Sequence, residues 1–280
     1  MASLSTLPPS HLSHLTHCIS ALFHRHLRRL VALLSSPALF TLTLRHLQSL
    51  SLHHKSLLIA RHLLSNLTLL KHFMQTPTTA SPPPATLSSA ACMKLRDLDA
   101  VLLLLLLCEL HQHDREFLDA PSSQWRVILS EYASHSILRL SSFGGCSNGE
   151  ALVQFIESAR RCWNLVGAMG CGGGGEGKGG REAAASAAAV VALPSVAVRG
   201  GEECVICKEE MKEGRDVCEL PCNHLFHWIC ILRWLKKRNT CPCCRHRLPT
   251  DDLRREIERL LEELAVIGGG GGGGLSHNWL

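Results

Sequence analysis

Eight of the ten cysteine and histidine side chains between Cys204 and Cys244 of this 280-residue chain fall at spacings suited to a soft metal ion. They run Cys204-x-x-Cys207, a gap of fourteen residues, Cys222-x-His224-x-x-His227-x-x-Cys230, a gap of ten, then Cys241-x-x-Cys244. Four close pairs of thiol and imidazole donors supply the eight positions that two four-coordinate zinc ions need. With every position taken by protein, no place is left for an activated water, so such ions are structural. The fourteen cysteines could instead build disulfides, but that needs a secretory context, and the N-terminus lacks the charged, apolar and small-residue order of a signal peptide. Paired cysteines with interleaved histidines outside that context read as metal ligands in a reducing compartment. Cys218 and Cys243 fall inside the cluster but off its spacing, and are read as neither ligands nor nucleophiles.

The rest of the chain must position this cluster. Residues 10 to 166 read as an all-helical bundle, since short helices bury their apolar faces against one another. Leu12, Leu15, Ile19, Leu22, Leu27, Leu30 and Leu34 recur at helical spacing, and Pro37 stops that helix. A second helical stretch runs from Ala38 to Met74 with a break near His53 and His54, and the proline-rich stretch from Thr76 to Ser88 reads as a loop. Six leucines from Leu102 to Leu107 mark a third helix, Met93 to His113, buried on most sides. It is far short of the roughly 20 apolar residues of a membrane span, so no transmembrane helix is expected. Pro121 opens a fourth helix carrying Trp125, Ile128, Leu129, Tyr132, Ile137 and Leu138. Gly144 to Gly149 is a turn, and a fifth helix runs to Val166.

Glycine and alanine clusters make residues 167–201 a flexible linker, and 202–249 hold the zinc module. An amphipathic helix follows over 250–267, with Thr250 as its cap, and the glycine-led residues 268–280 are read as a disordered tail. The apolar stripe of that helix suits pairing with a second copy of the chain or packing back onto the same chain, and both readings stand.

Charge divides the chain. The net charge is +5, yet no Asp or Glu occurs before Asp97. A basic half of this kind points to a membrane surface, a nucleic acid or a targeting role. Few aromatic residues and no recognition motif speak against nucleic acid. Ten histidines precede Pro82 at varied spacing and are read as solvated helix faces rather than a metal site.

The cluster and its neighbours resemble the RING finger with two central histidines. Cys204-Val205-Ile206-Cys207, Cys222-Asn223-His224-Leu225-Phe226-His227-Trp228-Ile229-Cys230 and Cys241-Pro242-Cys243-Cys244-Arg245 carry the resemblance. It implies a small α+β cross-braced zinc module beside the mainly α N-terminal domain, with two structural Zn2+ ions. Cys204, Cys207, His227 and Cys230 would share one zinc, and Cys222, His224, Cys241 and Cys244 the other. It implies a ubiquitin ligase that forms no covalent intermediate, and so has no catalytic nucleophile. Its partners would be a ubiquitin-conjugating enzyme, ubiquitin and a protein substrate. Ile206, Trp234, Pro242 and Arg245 would form the surface that receives the conjugating enzyme, while the basic run Lys236, Lys237 and Arg238 reads as a solvated face. The alternatives are an inactive RING used for assembly and a zinc-dependent nucleic-acid-binding protein.

The whole layout resembles a small plant family of RING ligases associated with amyloplasts and shoot gravitropism. Ubiquitin and its conjugating enzymes are cytosolic and nuclear. The resemblance therefore implies a cytoplasmic protein at the outer surface of a plastid rather than one imported into it.

Overall fold

The structure, a computed structural model, describes residues 9–75, 93–141, 148–169, 183–198, 201–212 and 214–268. The chain divides into two compact units, residues 1–173 with 262–280, and residues 174–261. The proline-rich loop, residues 144–147 of the expected glycine turn, most of the glycine cluster of the linker and residues 269–280 lie outside the described residues. Asn148 and Gly149 open the helix Asn148–Ala168 instead of ending a turn, and Gly268 closes the helix Leu253–Gly268.

The first unit is helical. Its helices are α1 (Pro9–Ser35), α2 (Pro37–Ser49), α3 (Leu52–Gln75), α4 (Leu95–His113), α5 (Ser122–Ser141) and α6 (Asn148–Ala168). A single 3-10 turn at Glu116–Asp119 joins α4 to α5. Pro37 does more than stop α1: it is the first residue of α2, behind the cap Ser36, whose hydroxyl accepts the Leu39 N–H at 3.3 Å. A proline there sacrifices an N–H that has no helical partner anyway. The open carbonyl end of α1 is met by Arg126 of α5, which donates to the Leu34 carbonyl at 3.1 Å. The break expected near His53 lies a few residues earlier, at Leu50 and Ser51. There Ser51 accepts the His54 N–H and caps α3, which makes His54 part of the first turn.

Two apolar clusters stand out among the described residues of this unit. One gathers Leu33 and Leu34 with Phe40, Leu44 and Leu47 of α2, Val101, Leu103 and Leu106 of α4, and Leu129 of α5. The other gathers Leu15 and Ile19 of α1 with Leu152 and Phe155 of α6. None of the six leucines from Leu102 to Leu107 is exposed, as the unbroken apolar run requires. One charge is buried with them: Asp99 sits beside Arg29, which donates through Nε at 3.0 Å and Nη2 at 2.5 Å. This forked pair lets a basic helix pack against α4 without leaving the carboxylate unpaired.

The histidines do not all lie on solvated faces. His62 is buried, because the spacing of Ile59, Leu63 and Leu67 carries it to the inner face of α3. Its ring lies 5.2 Å from that of His26 on α1, and its Nε2 is 3.1 Å from the Asn66 amide nitrogen.

The second unit holds the metal-ligand cluster. It opens with a short helix α7 (Ala187–Val191), then β1 (Ser195–Val198), β2 (Gly214–Glu219), β3 (Leu225–His227) and α8 (Trp228–Leu235). The strands form one antiparallel sheet in the order β1-β2-β3. Val217 and Cys218 of β2 face His227 and Phe226 of β3, and Ser195 and Val196 of β1 face Cys218 and Val217. Phe226, Ile231, Leu235, Met211, Leu220 and Leu248 form the core. The last helix, α9 (Leu253–Gly268), is capped by Asp252 rather than Thr250: its carboxylate accepts the N–H groups of Arg254 and Arg255 at 3.0 and 3.2 Å.

Burial holds the pKa of His26 down at about 3, helped by the nearby His62 and Arg25 charges, and burial holds that of His62 down at about 4. Both lie below the unfolded value of 6.5, so the unfolded chain binds protons that the folded unit refuses. Stability therefore falls as pH drops from about 6.5 toward 4, by about 2 kcal/mol per histidine near pH 5. Hydrogen exchange of α1 and α3 amides at pH 7 and pH 5 measures this, and the His26→Gln/His62→Gln double variant should flatten the slope.

Candidate metal centres

The same loop is used twice in the second unit. In the first, the Lys208 N–H donates to the Cys204 carbonyl at 2.8 Å and the Cys204 N–H to the Glu209 carbonyl at 2.9 Å. In the second, the Arg245 N–H donates to the Cys241 carbonyl at 3.0 Å and the Cys241 N–H to the His246 carbonyl at 2.9 Å. A bridge closes the base of each, Glu203 with Glu210 and Thr240 with Arg247. The turn demands a left-handed residue right after the second cysteine, and Lys208 (φ 64°) and Arg245 (φ 60°) supply it. Side chains other than glycine pay roughly 1–2 kcal/mol there, so a strong local constraint must hold both loops. Asn223 (φ 62°), between Cys222 and His224, makes a third such turn, with a residue type that tolerates it.

The histidines arrive from the sheet. His227 ends β3 and opens α8, and its ring is not spent on capping that helix. Instead its Nδ1 lies 3.3 Å from Cys207 Sγ, while the Nδ1 of His224 lies 3.4 Å from Cys222 Sγ. Four donors come together in each of two places: Cys204, Cys207, His227 and Cys230, and Cys222, His224, Cys241 and Cys244. Within each group the ligand atoms lie within 4.8 Å of one another. The groups interleave along the chain, the first and third pairs in one and the second and fourth in the other.

These donors fit zinc. At ordinary zinc–sulfur and zinc–nitrogen lengths, tetrahedral sulfur and nitrogen donors lie roughly 3.5 Å apart, close to the spacing of both His–Cys pairs. The charge of the sites points the same way. Burial raises the Cys204 thiol, but the backbone N–H groups of His227, Cys207 and Ile206 outweigh it and bring the pKa down to about 7. Cys222 is pushed up to about 12, by burial and by Cys244 and Cys241 beside it. Cys230 is pushed up to about 11, by burial and by Cys207 and Cys204. One thiolate forms readily in such a group and the next resists, until a dication replaces the protons. Cys218 is buried in the sheet with its thiol raised to about 11 by burial, and Cys243 is exposed in the second loop; neither joins a donor group.

Around the metal groups, Ile206 and Pro242 lie in the two loop turns and are half-buried. Trp234 lies in the last turn of α8, half-buried against the core, with its indole N–H donating to the Thr240 carbonyl at 2.7 Å. Arg238 is not simply solvated: its guanidinium lies 4.6 Å above the Trp234 ring. Arg245 is exposed. Three apolar side chains that sequence reasoning did not single out are exposed nearby in the chain, Val205, Ile229 and Leu232.

Sequence reasoning also missed the segment before the cluster. Residues 183–198, assigned to the linker 167–201, are built into the metal-binding unit. The Ala185 N–H donates to the Leu235 carbonyl and the Ser186 N–H to the Pro249 carbonyl. Leu193 and Val198 are buried in its core, and Trp228 Nε1 donates to Ser195 Oγ at 2.8 Å. The signal was the alternation of Val196 and Val198 just after Leu193-Pro194, enough to add a strand to the edge of β2.

Residues 202–245 match the family described as "Ring finger domain". Over 276 residues, 95% of this chain and 94% of the relative, the sequence is 51% identical to "E3 ubiquitin-protein ligase SGR9, amyloplastic" of Arabidopsis thaliana. It is 50% identical over 66 residues, 22% of this chain and 40% of the relative, to "E3 ubiquitin-protein ligase RNF181" of Rattus norvegicus. It is 45% identical over 70 residues, 23% of this chain and 21% of the relative, to "E3 ubiquitin-protein ligase RING1-like" of Arabidopsis thaliana.

Truncating Leu193 to alanine should destabilise the metal-binding unit by about 3 kcal/mol, the usual cost of a buried leucine. Hydrogen exchange in β2 and β3 of the metal-loaded chain reads this directly, and a true linker residue would leave it unchanged.

Proposed function

Because the chain belongs to the RING-type E3 ubiquitin ligases, we propose that two structural zinc ions fold its C-terminal module and that Ile206, Trp234, Pro242 and Arg245 receive a ubiquitin-conjugating enzyme. Ligase activity goes with the family; the proposal concerns how this chain's residues carry it. Cys204, Cys207, His227 and Cys230 would hold one zinc and Cys222, His224, Cys241 and Cys244 the other. The ions supply folding energy and take no part in the reaction.

One observation carries the docking assignment. Trp234 packs on the core and is oriented by its own hydrogen bond to Thr240, yet stays short of burial. A rigid, partly open indole is the kind of anchor that interfaces use. Ile206 and Pro242 are apolar and half-open, on loops fixed by the left-handed turns. Arg245 holds five donors in a planar fork on a backbone set by the Cys241 carbonyl, suited to bridging the enzyme and ubiquitin. Such a surface accelerates transfer by holding the charged thioester in a reactive pose, without a covalent step.

The relative named amyloplastic places itself at a starch-bearing plastid, and we infer the outer surface of that plastid as this chain's working place, in gravity-directed growth. No single described helix is long and apolar enough to cross a membrane. Of the two uses open to α9, the burial of Ile257 and Leu260 favours packing within one chain over pairing with a second copy.

Chelation should release two zinc ions per chain and unfold the module, read by metal-dye titration and by the fluorescence of Trp228 and Trp234. Ile206→Ala and Trp234→Ala should each lower polyubiquitin formation at least tenfold, about 1.4 kcal/mol of lost docking, with both zinc ions retained. Full activity of both variants across a panel of conjugating enzymes would sink the docking assignment.

A further inference from the structure

We propose that the outer face of the α1–α2 elbow docks on a bilayer bearing anionic lipid headgroups. This deepens the plastid-surface reading above, and rests on it only for which membrane is met.

The elbow bends by 103° at Ser36, and its inner side is spent on packing: Leu33, Leu34, Phe40 and Leu44 are buried. Its outer side carries Arg25 and Arg28 on α1 and Arg45 on α2, all exposed. Among the described residues none of the three has an ion pair, and none of the chain before Asp97 supplies a carboxylate. Of the acids nearest this region, Asp99 is paired with Arg29, and Asp97 on α4 lies 3.8 Å from His46 Nε2 and pairs with none of the three arginines. The outer face is therefore cationic without local compensation.

Aliphatic side chains are interleaved with these arginines. Val31, one turn beyond Arg28, is 43% exposed, and Leu42, one turn before Arg45, is 64% exposed. Leu52, at the start of α3, is 60% exposed. Guanidinium groups pair with phosphate in forked hydrogen bonds, and exposed aliphatics beside them can enter the headgroup boundary. A nucleic acid would be served by aromatic side chains for stacking, and among the described residues none of the exposed large apolar side chains is aromatic. The combination of cation and aliphatic favours lipid.

The test uses the full, zinc-loaded chain in sedimentation with phosphatidylcholine vesicles containing roughly one third phosphatidylglycerol, against pure phosphatidylcholine. Binding should require the anionic lipid and weaken as salt is raised. Each arginine should contribute about fivefold, so the Arg25→Gln/Arg28→Gln/Arg45→Gln variant should bind about a hundredfold more weakly. Leu42→Ser should weaken binding severalfold at unchanged salt dependence. All variants should retain the hydrogen-exchange protection of α1 and α3, showing that the helical unit folds, and polyubiquitin formation in solution. Equal binding to neutral vesicles, unchanged binding by the triple variant, or displacement of vesicles by duplex DNA would overturn the proposal. A chain that fails on vesicles yet sits on plastids as a fluorescent fusion overturns the lipid dock and leaves the plastid reading intact. A chain that binds vesicles but avoids plastids does the reverse.

Discussion

Eight donor atoms drawn from four separate places in the chain must meet in two tetrahedra, and the second unit is organised around that demand. Its apolar core is small, and so small a module cannot bury enough surface to fold on that alone. Interleaving the donor pairs makes each metal centre a link between segments distant in sequence. The first group ties the Cys204 loop to the start of α8, and the second ties the Cys222 turn to the Cys241 loop. Lys208, Asn223 and Arg245 accept left-handed backbone because closing the donor shells outweighs the local cost. His227 forgoes capping α8 for the same reason. The exposed residues then inherit a rigid frame, which is what a ligase working by positioning requires.

Sheet and metal centres support one another. β3 delivers Phe226 to the core and His227 to a donor group in consecutive residues, because alternate side chains of a strand point to opposite faces. β1 completes the sheet from upstream and brings Leu193 and Val198 beneath it. The folded unit is therefore larger than the donor spacing alone suggests. Composition obscured this: the run of alanine before Leu193 looks like spacer, and only pairing with β2 turns Val196 and Val198 into a strand. Propensity reports local preference, whereas an edge strand is decided by the neighbour that receives it.

In the helical unit the constraint is charge. Three helices without a single acid must pack, and the carboxylate that allows it comes from α4, seventy residues beyond Arg29. Helices and their faces were legible from leucine spacing, and the unbroken run Leu102–Leu107 correctly announced a buried helix. The break between α2 and α3 falls at Leu50 and Ser51 rather than at the two adjacent histidines. A hydroxyl that satisfies a free N–H at a helix start counts for more than a pair of neutral rings within the first turn. His62 was misjudged for a related reason: its residue type suggests solvent, but its register on α3 places it inside.

By itself, the sequence determined the metal chemistry, the family and the helical character of the first half. Those rest on residue type and short-range spacing, which a linear chain displays in full. Tertiary structure alone decided that residues 183–198 belong to the metal-binding unit, that Asp99 answers Arg29, that the rings of His26 and His62 meet, and that the elbow keeps its arginines outward. Each of these depends on which distant face a helix or strand meets. Packing settles that through buried area and paired charge, quantities that exist only once the chain has folded.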